Sequence, residues 1–232
     1  MFPNSQPRST IDLTKAGRGQ VARNNVLRNT YWLLALSMIP TVLGAYIGVS
    51  FNLLATVGAF GLIAFMLVAF GFIFAIQKFK DSVVGLGLLL AFTFIMGLML
   101  TPLLQHTLGY SNGASLIMTA FGGTACVFAV MASIATTTKR DFSGMGSWLF
   151  AGVIVILLAA VANIFLQMSV LSIVISVLAI GIFSAFILYD VQRIVNGGET
   201  NYITATLSIY LDVYNIFTSL LHLLGLAGGD RD

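Results

Sequence analysis

The sequence predicts an all-α polytopic membrane protein of seven transmembrane helices, the last of them central and marked by a polar stripe. Three observations carry this prediction: a shortage of charge, seven apolar segments of crossing length, and basic residues gathered almost wholly on one side. Of 232 residues, 58% are hydrophobic and 8% charged, whereas a soluble domain carries about 25% charged residues. So few charges cannot build a water-facing surface. Soluble, disordered and nucleic-acid-binding classes are excluded, despite a pI near 9.2. The lone Cys126 offers no disulfide framework and no CxxC motif. With His106 and His222 the only histidines, transition-metal and Ser-His-Asp chemistry have little to work with. No catalytic set, resident metal or cofactor is expected, and the chain does not read as an enzyme.

Residues 1–30 read as a basic N-terminal tail, with Arg8, Lys15, Arg18, Arg23 and Arg28 against Asp12. The apolar stretch that follows is long enough to span, so it reads as a retained signal-anchor rather than a cleaved leader. Seven segments then have the roughly 20 residues a bilayer crossing takes: 31–51, 53–77, 83–104, 114–138, 147–167, 170–195 and 202–225. Asn52, the Lys78–Ser82 run, Gln105–Gly113, Thr137–Gly146, Gln167–Ser169 and Asn196–Asn201 separate them, Asn52 being the weakest break. Residues 31–225 thus form the transmembrane domain and 226–232 a short C-terminal tail. Asn196-Gly197-Gly198 is turn chemistry, and Asn201 suits the N-cap of the last helix. Pro40 and Pro102 are expected to kink or end spans 1 and 3. Gly44 and Gly48 make a GxxxG pair, and Gly58, Gly61, Gly85, Gly87, Gly122 and Gly123 lie within spans, where small residues allow close helix approach.

The basic residues test this partition. The tail, Lys78 and Lys80, Lys139 and Arg140, and Arg193 all fall on one side, and only Arg231 falls on the other. That is the positive-inside pattern for seven spans with a cytoplasmic N-terminus; a re-entrant last segment would bring Arg231 inside as well.

Two of the acids, Asp190 and Asp212, lie inside apolar spans. An intramembrane carboxylate is costly unless paired, hydrated or protonated, and so marks a candidate functional site. On the last helix Ser208, Asp212, Asn215, Ser219 and His222 fall within about 80° of one face, continued by Asn201 and Thr204. Tyr210, Tyr214 and Phe217 point elsewhere. A face of that polarity cannot meet lipid, so the helix must be enclosed, its stripe lining a cavity or a hydrogen-bonded seam. Asp212 lies roughly 16 Å along its helix from Asn201, and Asp190 roughly 9 Å from Asn196. Antiparallel neighbours joined by a short loop could set both acids in one layer, where they would share a proton and titrate as a unit. The structural alternatives are a local Asp190–Arg193 ion pair, an Asp212–Asn215 seam and a hydrogen-bonded core His222. Asn163 and Gln167 are weaker candidates for the same cavity.

The run Gly197-Gly198-Glu199-Thr200-Asn201-Tyr202-Ile203, continuing through Ala205-Thr206-Leu207 to Tyr210-Leu211-Asp212-Val213-Tyr214-Asn215-Ile216-Phe217, resembles the Bax inhibitor-1 family. Val26-Leu27-Arg28-Asn29-Thr30-Tyr31 and Gly122-Gly123-Thr124-Ala125 resemble its bacterial branch, which includes a modulator of the membrane-anchored protease FtsH. The resemblance covers essentially the whole chain. It implies a seven-helix fold with a central last helix, a bacterial inner-membrane location, and a pH-sensitive Ca²⁺ leak in which Asp190 and Asp212 match the sensor positions. Transient Ca²⁺ contacts at these acids, or a non-enzymatic partnership with an FtsH-type protease, are the roles so implied. Some relatives latch the pair with a basic residue from span 2. Residues 53–77 hold no Lys or Arg, so that latch is either missing or replaced, with Arg193 a candidate replacement. An intramembrane aspartyl protease lacks motif support around Leu211-Asp212-Val213, and a retinal protein lacks its lysine in span 7.

Overall fold

A computed structural model describes residues 8–52 and 59–228, with side chains from Gln20 onward except at 59–63 and 66. Gly58, the surroundings of Gly61, the side chains of Arg8, Asp12, Lys15 and Arg18, and residues 229–232 with Arg231 lie outside the described residues. The elements are α1 (Arg8–Phe51), α2 (Ala59–Lys78), α3 (Val83–Met99), α4 (Thr101–Leu108), α5 (Gly113–Thr137), a 3₁₀ turn (Ser143–Met145), α6 (Gly146–Leu166), α7 (Ser169–Val195) and α8 (Tyr202–Gly228).

Six helical stretches among the described residues are long and apolar enough to cross a membrane: Gln20–Phe51, Val83–Leu108, Gly113–Thr137, Ser143–Leu166, Ser169–Val195 and Tyr202–Gly228. Helix α2 stands where the remaining span is expected and has 20 residues, the length a crossing takes. The protein is thus a multi-pass, all-α membrane protein.

Three local features differ from expectation. Helix α1 has no break at residue 30: it continues from Arg8, and Val26 and Leu27 already pack on the core. Pro40 does not end it. The Ser37 and Thr41 hydroxyls beside the proline bond back to the Leu34 and Ser37 carbonyls at 2.6 and 2.8 Å. Pro102 occupies the first turn of α4, where its missing N–H costs nothing. It therefore restarts the helix after Leu100 and carries span 3 to Leu108 instead of ending it at 104. The weak break at Asn52 is real, since Asn52 sits in the left-handed region at φ 51, a conformation asparagine tolerates. Gln167, at φ 50, closes α6 in the same way.

Helix α8 forms the axis. From Ile203 to Gly225 no residue is exposed, and α1, α3, α4, α5 and α7 all pack on it. Helices α1 and α3 meet closely through glycine. Gly44 lies against the Phe94 carbonyl, Gly48 against Thr101, and Gly97 against the Thr41 carbonyl. The GxxxG pair is therefore a true helix contact. Gly87 and Gly122 face open space, and Gly123 makes ordinary contact with Leu220. Helix α6 is peripheral; among the described residues it packs only on α7 and the 3₁₀ turn.

Candidate functional site: an aspartate pair in the α7–α8 seam

The last helix presents two chemically different faces. On one, the Tyr210 hydroxyl meets Thr41 Oγ1 at 2.9 Å and the Thr93 carbonyl at 3.4 Å, and the Tyr214 hydroxyl donates to the Met96 carbonyl at 3.2 Å. Phe92 packs edge-on against Tyr210. In hydrocarbon each hydroxyl must find a protein partner, and α1 and α3 provide them. Tyr210→Phe should lower stability by about 1–2 kcal/mol by leaving these groups short of a partner. Thermal unfolding in detergent measures it, and an unchanged midpoint would mean that the hydroxyl contributes nothing.

The same face floors a groove of about 660 Å³ between α1, α4 and α5, lined by Leu34, Met38, Leu104, Ile117, Phe121 and Tyr214 among others. The groove is apolar. The polar face, expected to line a cavity or a seam, forms a seam against α7.

In that seam Asp190 of α7 and Asp212 of α8 come close enough for their carboxyl groups to act on each other electrostatically. Asp212 is 5% exposed, and its Oδ2 is buried with no hydrogen-bond partner. Asp190 is half-buried, one turn inside the end of α7. Farther along the seam the half-buried His222 pairs its Nδ1 with Ser176 Oγ of α7 at 3.0 Å. Asn215 Nδ2 turns back to the Leu211 carbonyl at 2.7 Å. Ser208 and Ser219 are half-buried on the same helix.

The α7–α8 turn sets the register of the two helices. Asn201 Oδ1 accepts from the Ile203 and Thr204 amides at 2.9 and 3.1 Å, the N-cap expected of it. Its Nδ2 donates to the Lys80 carbonyl and to Asp81 Oδ1 at 3.0 and 2.8 Å, tying α8 to the α2–α3 turn. Glu199 Oε1 accepts the Thr200 and Asn201 amides, and Gly197 makes the turn at φ +80.

Two expectations change. The direct ion pair of Arg193 is with Glu199 rather than with Asp190, although its charge still acts on Asp190. Its guanidinium lies 3.5 Å from Glu199 across the turn, because the Gly197-Gly198 reversal brings Glu199 back over the last turn of α7. Asn163 and Gln167 do not face α8. Asn163 bonds Ser172 and the Met168 amide, and Gln167 caps α6, so both serve the α6–α7 turn.

Sequence reasoning missed Gln192. It is 4% exposed. Its Oε1 accepts from the Phe142 amide at 2.6 Å, and its Nε2 donates to the Arg140 carbonyl at 2.5 Å. One side chain therefore grips the α5–α6 connection at two backbone points. In that connection Asp141 accepts from the Ser143 amide at 2.9 Å, and the Ser143 amide and hydroxyl hold its carboxyl below the usual range. The signal for Gln192 was an amide inside an apolar span, the same rule that singled out the acids. Among the described residues no group of three His, Cys, Asp or Glu side chains is placed to hold a metal ion.

The family model described as Inhibitor of apoptosis-promoting Bax1 matches residues 23–229. A Modulator of FtsH protease YccA from Escherichia coli is 40% identical over 210 residues, covering 90% of this chain and 94% of its own. An uncharacterised membrane protein of Vibrio cholerae is 39% identical over 204 residues, covering 88% and 90%. A further uncharacterised protein, from Pseudomonas aeruginosa, is 41% identical over 207 residues, covering 89% and 91%.

Proposed function

The chain belongs to the Bax inhibitor-1 family, and we propose that within it the protein is a pH-sensitive Ca²⁺ leak gated by the Asp190–Asp212 pair. It sits in a bacterial inner membrane with its N-terminus cytoplasmic, an orientation supported by the distribution of Lys and Arg. The observation that carries the reading is the seam itself: two carboxyls close enough to interact, one with a buried oxygen that has no hydrogen-bond partner.

Two carboxylates in contact cannot both carry charge cheaply, so the closed seam is held by one shared proton. Changing its protonation changes the force between α7 and α8, which is the force that opens or closes a path along the polar stripe. Carboxylate, amide and carbonyl oxygens are hard ligands and suit Ca²⁺ over soft metals. Ca²⁺ is cargo here, touching Asp190 and Asp212 in passing.

Purified protein in vesicles loaded with a calcium dye tests this. Flux should vary with pH in the parent and lose that variation in Asp190→Asn and in Asp212→Asn. An unaltered pH profile in both variants would end the proposal.

The second reading is a non-enzymatic modulator of an FtsH-type protease, favoured by the name of the Escherichia coli relative. The vesicle experiment separates the two, because a leak needs no second protein and a modulator without its protease moves no ions.

A further inference from the structure

Helix α7 touches α8 on one side and the α5–α6 connection on another. The side chains flanking Asp190 show how it is held. Taking about 100° per residue, Tyr189 and Gln192 lie roughly 60° apart on the side of α7 turned away from Asp190. Both are pinned by one strap, residues 138–146. Gln192 grips the Phe142 amide and the Arg140 carbonyl. Tyr189 packs on Gly146, where an added Cβ would meet the tyrosine hydroxyl at 2.8 Å. The 3₁₀ turn of the strap also packs on α7. The acid side of α7 meets Asp212, while its back is fastened to a loop.

We propose that Gln192 is a positioning residue. Together with Tyr189 and the strap, it fixes the rotation of α7 about its axis and so sets the contact between Asp190 and Asp212. Helices α1, α5 and α6 also pack on α7, but apolar packing is non-directional; the hydrogen bonds of the strap resist rotation of α7 under the force between two acids. The charged groups around Asp190 are Asp212 from α8, Arg193 on its own helix and Glu199 on the following turn. None is supplied by the strap side, so the strap acts on the pair through geometry. The inference rests on the acid pair being the working site, yet the contact it describes can be measured without any flux.

In a Cys126→Ser background, Asp190→Cys with Asp212→Cys reports the contact through the rate of disulfide formation under copper-phenanthroline. Each hydrogen bond lost at residue 192 should lower the population in contact by about fivefold. Gln192→Glu keeps the acceptor for Phe142 and loses the donor to Arg140, so the rate should fall about fivefold. Gln192→Leu loses both bonds and should fall further, and Gly146→Ala should slow the rate by pressing on Tyr189 from the strap. Gel filtration and circular dichroism identify folded variants. Equal rates at residue 192 for Gln, Glu and Leu in folded protein overturn the inference. In the chain that keeps both acids, Gln192→Leu should also shift the pH profile of the vesicle flux. A graded disulfide rate with no change in flux would uphold the brace while removing the acid pair from the gate.

Discussion

Alanine at Gly97 should cost about 3 kcal/mol or more of stability, and alanine at Gly44 a similar amount. Both glycines lie where α1 and α3 approach backbone to backbone. A Cβ on Gly97 would enter the Thr41 carbonyl, and one on Gly44 the Phe94 carbonyl. Overpacking usually costs about 1–3 kcal/mol when neighbouring side chains can yield. Here the obstacles are main-chain oxygens, so relief requires the helices to part. Parting them would also pull on Thr41, which faces the Tyr210 hydroxyl of α8, so damage should spread to the axis of the bundle. Gly87 and Gly122 are the internal controls, since nothing lies within 4 Å of a Cβ at either. Alanine there should be neutral or stabilising by about 0.5–1 kcal/mol through helix propensity. Unfolding in detergent followed by circular dichroism reads all four. Equal midpoints for Gly97→Ala and Gly87→Ala would show that the close approach carries no energy.

The fold was legible where hydropathy alone decides it. Crossing segments announce themselves by length, and Asn52 and Gln167 mark turns in a left-handed conformation few residues accept. The start of α1 was not legible. Polar residues in a helix that extends beyond the bilayer look like any polar tail, and only Val26 and Leu27 packing on the core reveals the continuity. The interruption of span 3 before Pro102 was legible, but its continuation to Leu108 was not, because a proline ends a helix or begins one according to what precedes it, which hydropathy does not encode. The GxxxG signal at Gly44 and Gly48 was sound, whereas Gly122 and Gly123, singled out only as small residues within a span, make no close approach.

At the site the acids were legible because an intramembrane carboxylate is costly and therefore rare. The enclosure of α8 followed from the width of its polar stripe. The partner of Arg193 was not legible. Spacing along one helix favoured Asp190, and the choice of Glu199 depends on the path of a glycine turn. The partner of Gln192 was hidden more deeply, because it is the backbone of a loop some 50 residues away, and a backbone group carries no residue-type signature.

Asp212→Leu should separate a working acid from a structural one. Leucine branches as aspartate does, with two bulkier methyls in place of two oxygens, and needs no partner at a position that is 5% exposed. The Oδ2 oxygen is buried without a hydrogen-bond partner, and a polar atom in that state costs about 1–3 kcal/mol. Replacing buried polar groups by apolar ones of similar volume is commonly neutral or stabilising. If the pair exists to move protons and ions, its removal should leave the unfolding midpoint unchanged or raise it by about 1 kcal/mol equivalent, while the pH-dependent flux disappears. If the pair is a structural clasp, removal of one half strands Asp190 and the protein should lose about 3 kcal/mol or more, as broken buried pairs do. Asp212→Asn keeps polarity and shape without the proton exchange, so it should match the parent in stability and Asp212→Leu in flux. Stability and flux falling together in both variants would return Asp212 to the scaffold. Stability kept and flux lost would mean that the membrane tolerates this costly acid because it works.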